Sequence, residues 1–285
     1  MTGFFDNAPE VPEWITKFKV SVPDGASGEW RVERFTITPQ QSSFTRLRAL
    51  IGDGGGRGYL PPGDYTALYR GQTLVMSDTP DEIADHVEPI KFAFGRVLIN
   101  GLGLGMVAKA MLDRPEVVHV TVVELSADVI ALVGPSLKAY TDAGRLTIVH
   151  ADAYAYTPPA GTRFAVVWND IWDTISSANL EGMTRLHRKY GRRSMWIGSW
   201  ARKACERMRR VERDCAAGRG DPFRPMPLAT GAINPAAWKK GQEWRRRLDR
   251  EAQRHLARMK KLEAEGKVKL VDGVYQVVAD DDKAR

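Results

Sequence analysis

RVLINGLGLGMVAKAML, residues 96–112, passes from strand to turn to helix within seventeen positions. Val97-Leu98-Ile99 is a short apolar run of the kind a buried strand needs, and the strand ends at Asn100. Gly101, Gly103 and Gly105 follow at every second position, and a helix is expected from about Gly105 to Asp113. Glycines let the backbone turn sharply and approach a ligand with no Cβ in the way. Amides at the start of the helix then point toward the ligand's polar groups. The next apolar run, within VTVVELS, leaves Glu124 at its tip, where a carboxylate can accept both hydroxyl hydrogens of a ribose. Glycines and acid, 23 residues apart from Gly101 to Glu124, say more together than either alone.

Outward from this unit the signals keep alternating. His119–Val123, Leu146–Val149, Phe164–Trp168 and Ser194–Ser199 read as further strands. Residues 128–140 and 180–189 read as helices, the first interrupted at Pro135. Such alternation gives an α/β fold with a mainly parallel sheet and helices on both faces.

The flanks differ. Residues 1–90 look β-rich and irregular, a small N-terminal domain. A strand from Trp30 to Ile37 is expected with a slip near Glu33-Arg34, and two strands, Tyr65–Tyr69 and Thr73–Met76, about a turn at Arg70-Gly71. GDGGGRGYLPPGD, residues 52–64, is a loop. Thr79, Pro80, Asp81 and Glu82 mark a helix start, with its end near Glu88 ahead of Pro89. Residues 201–265 form a basic helical insertion, with Trp238–Ala264 a long helix. Val268–Val271 and Val274–Val278 about Asp272-Gly273 give a C-terminal antiparallel hairpin, since Asp-Gly supplies the positive φ angles of a tight turn. The divisions are therefore 1–90, 91–200, 201–265 and 266–285.

Composition sets bounds on function. With 285 residues, 43% hydrophobic and 27% charged, the chain can bury a core without disulfides or metals, and a fibrous or largely disordered chain is excluded. Cys205 and Cys215, among Arg and Glu, are too few for a disulfide scaffold, and five scattered His residues argue against a metal site. MTGFFDNAPE has no basic-then-apolar leader, and no run approaches the ~18 apolar residues of a membrane span. A reduced, cytoplasmic protein is expected. The charge of +7 is uneven: residues 201–269 hold 20 Lys and Arg against 9 Asp and Glu, while the remainder is slightly acidic. Such a segment attracts polyanions such as nucleic acid, or is a solvated helical face with interleaved acids.

Nicotinamide enzymes also use strand, glycines, helix and acid, but with the spacing G-x-G-x-x-G. Here the spacing is G-x-G-x-G, which resembles the first motif of class I S-adenosylmethionine-dependent transferases and implies their Rossmann-like three-layer sandwich. LTIVHADAY places Asp152 just past a strand tip, where that superfamily commonly binds the adenine amino group. The resemblance implies a cofactor site of Asn100, Gly101, Gly103, Gly105, Glu124, Leu125, Asp152 and Ala153. FAVVWNDIWD, ending the fourth strand, is similar to the spermidine synthase branch, whose strand is followed by Asp-Ser-Ser-Asp-Pro with the first Asp helping to deprotonate an attacking amine. Asp170 takes the first position and Asp173 the second. Asp81-Glu82-Ile83-Ala84-Asp85-His86-Val87 resembles that branch's Asp-Glu-x-x-Tyr-His-Glu, which brings His86 to the pocket. Asp170, Asp173 and His86 are thus the catalytic expectations.

Leu104 stands where spermidine synthases carry an Asp that helps hold the donor's amine. That departure favours S-adenosylmethionine over decarboxylated S-adenosylmethionine, and methyl transfer over aminopropyl transfer, which stays as the alternative. Asn169-Asp170-Ile171-Trp172 also bears a loose likeness to the Asn/Asp-Pro-Pro-Tyr of DNA amino-methyltransferases. A nucleic-acid methyltransferase, or a non-catalytic nucleic-acid-binding protein, therefore stays open. Expected partners are a small-molecule amine or another acceptor, a nucleic acid along 201–265, and a second copy of the chain in a homodimer; no membrane association is expected.

Overall fold

The computed structural model describes residues 17–51, 58–219, 257, 261, 264–265, 268–271 and 274–277. The chain divides into two units, Met1–Ala229 and Thr230–Arg285. In the first unit the strands β1 (Gly25–Ser27), β2 (Trp30–Ile37), β3 (Gly63–Arg70) and β4 (Thr73–Ser77) form an antiparallel meander in that order. The β3–β4 hairpin turns at Gly71, which takes φ 56°. The slip expected in β2 is absent: β2 pairs continuously with β3, and the register shift falls between Leu68 and Tyr69 in the β3–β4 pair.

Helix α1 (Pro39–Ile51) replaces the irregular chain expected there. Its signal was in the sequence. The Thr38 N–H donates to Gln41 Oε1 at 2.8 Å, and the Gln41 N–H donates to Thr38 Oγ1 at 3.3 Å. This is a reciprocal capping box, with Pro39 at the first helical position. The helix expected over 80–88 is instead two, α2 (Pro80–Asp85) and α3 (Val87–Phe92), joined at His86. Pro89 does not end the run; it sits in the first turn of α3, where its missing N–H has no intrahelical partner to lose.

The second sheet is built from β5 (Gly95–Asn100), β6 (Val117–Glu124), β7 (Leu146–His150), β8 (Phe164–Asn169) and β9 (Ser194–Ser199). All neighbours are parallel, in the order β7-β6-β5-β8-β9. The chain starts at the middle strand, runs to one edge, then returns and runs to the other. Right-handed crossovers therefore put the helices of the two halves on opposite faces. The side chains agree: Val97 and Ile99 join one apolar cluster with α4 (Met106–Leu112) and α5 (Ala127–Val133), while Leu98 joins another with Leu186 and Tyr190 of α7 (Asn179–Tyr190). Between α5 and α6 (Lys138–Asp142) a 3₁₀ turn, Gly134–Leu137, absorbs Pro135. This is the expected Rossmann-like α/β fold.

Helix α8 (Arg202–Ala216) follows β9, and its Cys205 packs with Leu180 and Met183 of α7. The helix expected over 238–264 lies almost wholly outside the described residues. In the second unit β10 (Val268–Val271) pairs antiparallel with β11 (Val274–Val277), with Val271 opposite Val274; Asp272 and Gly273 lie outside the described residues. Among the described residues no helix is long and apolar enough to cross a membrane.

Candidate functional site

Ligands of open parallel sheets gather outside the carboxyl ends of the strands, where the strand order reverses. Here that place holds a cavity of about 660 Å³, within the range of small-molecule sites. Gly101, Glu124, Asp152 and Asp170 come to it from the tips of β5, β6, β7 and β8, and the N-terminal meander supplies the facing wall with Trp30, Arg70 and Met76. Tyr154, Trp172 and Trp200 add aromatic surface. Seven carboxylates (Glu29, Glu82, Glu124, Asp128, Asp152, Asp170 and Asp173) line it against a single cation, Arg70, among the described residues. The cavity is strongly electronegative.

The glycines turn the chain sharply against protein neighbours. All three carry positive φ (101°, 50° and 77°), a conformation that costs other residues strain. Yet a Cβ on Gly101 would lie 2.0 Å from the Asp170 carbonyl oxygen, and one on Gly103 would lie 2.4 Å from Met76 Sδ. One on Gly105 would meet Leu137 at 3.0 Å. The close approach is protein on protein. Four loop amides are also committed: Gly101 N–H donates to Val123 O, Leu102 N–H to Glu124 Oε2, Leu104 N–H to Met76 Sδ and Gly105 N–H to Leu102 O. Gly101 and Gly103 line the cavity, whereas Gly105 serves as the N-cap of α4 against α5 and the 3₁₀ turn.

Asn100 lies apart from the cavity. It is fully buried and absent from the cavity lining. Its Nδ2 donates to Asn169 Oδ1 at 2.7 Å, and Asn169 Nδ2 donates to Gly198 O at 2.8 Å and Ser199 Oγ at 3.2 Å. The ladder ties the tips of β5, β8 and β9 together. It is a brace beneath the site.

Glu124 bridges two elements. Its Oε2 accepts from Leu102 N–H and its Oε1 from Ser126 N–H, both at 2.8 Å. A carboxylate offers about four lone-pair positions, so each oxygen retains capacity toward the cavity. Leu125 beside it is 67% exposed. Asp152 Oδ1 accepts from Tyr154 N–H at 2.7 Å, and its carbonyl accepts from Ala155 and Tyr156, so it shapes the turn after β7 as well as lining the cavity. Ala153 is buried, with its carbonyl accepting from Tyr190 Oη at 3.0 Å.

His86 and Asp170 come close together, but His86 is absent from the cavity lining. His86 Nε2 lies 3.7 Å from Asp170 Oδ2, beyond hydrogen-bond reach, and the imidazole stands edge-on to Trp168 with ring centres 5.9 Å apart. His86 is 1% exposed, and neither of its ring nitrogens has a hydrogen-bond partner. Burial pushes its pKa down to about 4 against the opposing pull of Asp85. Burial pushes the Asp170 carboxyl well above the usual range, and the nearby Glu82, Asp85 and Glu124 charges push it further the same way. Burial thus opposes charge on both members of the pair.

Asp173 does not join this pair. It accepts a hydrogen bond from Arg70 Nη2, and the Arg70 guanidinium also lies over the Trp30 ring at 5.5 Å. The bond links the meander to the loop after β8 at the cavity mouth, and it offsets the Asp173 charge. Arg70, Trp30 and Met76 carried no signal in the sequence, because their role depends on where the meander packs. Trp200 had a weak one, as the residue just past the tip of β9.

No protein-family model matches the chain, and no curated protein sequence matches it. Among solved structures it is similar to the CcbJ methyltransferase from Streptomyces caelestis (19% identity, 36% of this chain and 41% of that one, TM-score 0.28). It is also similar to the glycopeptide N-methyltransferase MtfA in complex with S-adenosyl-L-methionine (24%, 38% and 45%, TM-score 0.30). A third is the [4+2]-cyclase SpnF (20%, 33% and 35%, TM-score 0.28). The chain spans less than half the length of each.

Proposed function

We propose that this chain is an S-adenosylmethionine-dependent methyltransferase acting on a cationic amine. The observation that carries the reading is the electronegative cavity, in which Glu124 and Asp152 at neighbouring strand tips share one wall with Asp170. The residues suit an adenosyl ligand. Glu124 keeps a lone pair on each oxygen for the ribose hydroxyls, Leu125 offers an exposed apolar side chain beside it, and Asp152 stands at the next strand tip. The sulfonium, when bound, supplies an electrophilic methyl carbon and a neutral thioether leaving group.

The chain's own residues do the rest. Seven carboxylates draw an ammonium group into the cavity. Asp170 accepts the amine's proton as its carboxylate, the form that an incoming cation favours. His86 stands 3.7 Å from Asp170 without competing for the proton, because burial keeps the imidazole neutral. Trp30, Trp172 and Trp200 exclude water from the transfer. Alignment then supplies most of the rate.

A second reading, aminopropyl transfer from decarboxylated S-adenosylmethionine, is favoured by one observation. Among the described residues the one cation lining the cavity, Arg70, is engaged with Asp173, so no free cation there faces a methionine carboxylate. Against it stands Leu104 in place of an amine-binding Asp. Calorimetric titration with S-adenosylmethionine, its decarboxylated form, S-adenosylhomocysteine and methylthioadenosine separates the two. Methyl transfer predicts tighter binding of S-adenosylmethionine and S-adenosylhomocysteine; the reverse order selects aminopropyl transfer. Heat from none of the four at millimolar ligand defeats both.

A further inference from the structure

Helix α8 contains three acids, and each is already engaged. Glu206 pairs with Arg202 at 2.9 Å, Glu212 accepts from Ser177 Oγ at 2.9 Å, and Asp214 faces Arg213 and Arg219 at 3.9 and 3.5 Å. The basic residues outnumber them. Lys203, Arg207 and Arg210 have neither a hydrogen bond nor an ion pair among the described residues. Spacings of four and three residues put these cations on one face of the helix, about 6 and 4.5 Å apart along its axis. Lys203 and Arg210 are exposed and Arg207 is half-buried. The opposite face carries Cys205, which is fully buried against α7.

From this geometry we infer that the outer face of α8 binds the phosphodiester backbone of a nucleic acid through Lys203, Arg207 and Arg210. Internal acids do not neutralise the row, so it presents net positive charge to solvent. A membrane surface fits less well. A helix that lies in a membrane inserts its apolar face, and here that face is committed to α7. The row also has a direction. Trp200 lines the cavity, its N–H donates to Asn169 O at 2.9 Å, and the chain turns through Ala201 at φ 52° before the helix starts. Lys203 therefore stands three residues from the cavity rim, and the row runs from there along the helix. The sequence extends the same character: residues 201–269 hold 20 Lys and Arg against 9 Asp and Glu. The inference is independent of what occupies the cavity.

The test is fluorescence anisotropy of the full-length chain with a labelled RNA single strand and a labelled DNA duplex, titrated at stepped KCl concentrations. The comparison is a variant carrying Lys203→Gln, Arg207→Gln and Arg210→Gln. Three phosphate contacts predict that its slope of log affinity against log salt is shallower by about 2 on the single strand and about 3 on the duplex. Affinity at low salt should fall at least tenfold, while calorimetric affinity for S-adenosylmethionine stays unchanged. Should the triple variant misfold, Lys203→Gln and Arg210→Gln taken singly should each lower the slope by about one. An unaltered slope, no binding of either nucleic acid by the unmodified chain, or binding of phosphatidylserine vesicles in their place overturns the inference.

Discussion

Glu124→Gln separates two roles that the carboxylate combines. Both oxygens accept backbone N–H groups, from Leu102 and Ser126. Glutamine keeps the size and one carbonyl oxygen, but turns an NH₂ toward the other amide. One charge-assisted bond of about 1.5–3 kcal/mol is lost, and the partly exposed setting puts the cost at the low end, about 1–2 kcal/mol. For a chain of this size that lowers Tm by roughly 2–8 °C, read by differential scanning calorimetry. Ligand binding suffers separately. A ribose hydroxyl that loses its carboxylate partner costs about another 1–2 kcal/mol, which is roughly a five- to thirtyfold rise in the Kd for S-adenosylmethionine. Both must move. A lowered Tm with an unchanged Kd shows that Glu124 serves only the glycine turn, and the ligand assignment goes with it. An unchanged Tm refutes the bridge itself.

Two further perturbations address the other acids and the histidine. Asp170→Asn should lower kcat by about 10²–10⁴ with little loss of S-adenosylmethionine affinity, whereas Asp173→Asn should chiefly loosen the half-exposed tie to Arg70, costing about 0.5–1 kcal/mol of stability; equal losses of kcat would return Asp173 to the base. His86 is neutral when folded, with its pKa lowered from 6.5 to about 4, so the unfolded chain binds the extra proton first as pH falls. Stability should therefore drop between pH 6.5 and about 4, by about 3 kcal/mol, and level off below. His86→Asn should abolish that drop in urea melts across the window, and a drop that survives the substitution assigns it elsewhere. Asp170 works in the opposite sense: its raised pKa favours the folded state at low pH, and that contribution is lost as pH rises from 3.8 toward the folded value.

Much of this molecule was legible from local pattern. The five strands and the helices between residues 95 and 200 could be read because each strand's apolar run and each helix's spacing are properties of neighbouring residues. The same holds for the hairpin strands of the second unit, which pair Val268 with Val277. Helix α1 was legible too, through Thr38 and Gln41, but the surrounding irregular sequence concealed it. Pro89 misled because a proline is compatible with a first turn and only disrupts a later one.

The sequence alone determined that a glycine turn and an acid meet at adjacent strand tips, since chain order and right-handed crossovers leave little choice. Tertiary structure decided what fills that corner. Met76 covers Gly103, the Asp170 carbonyl occupies the space beside Gly101, and Asn100 turns inward to brace Asn169. It also decided the charge of the site: Arg70 reaches Asp173 across 103 positions, and burial beside Glu82 and Asp85 raises the pKa of Asp170. Such facts depend on which surfaces dock. Pair energies and desolvation follow distance and burial in space, which spacing along the chain does not specify.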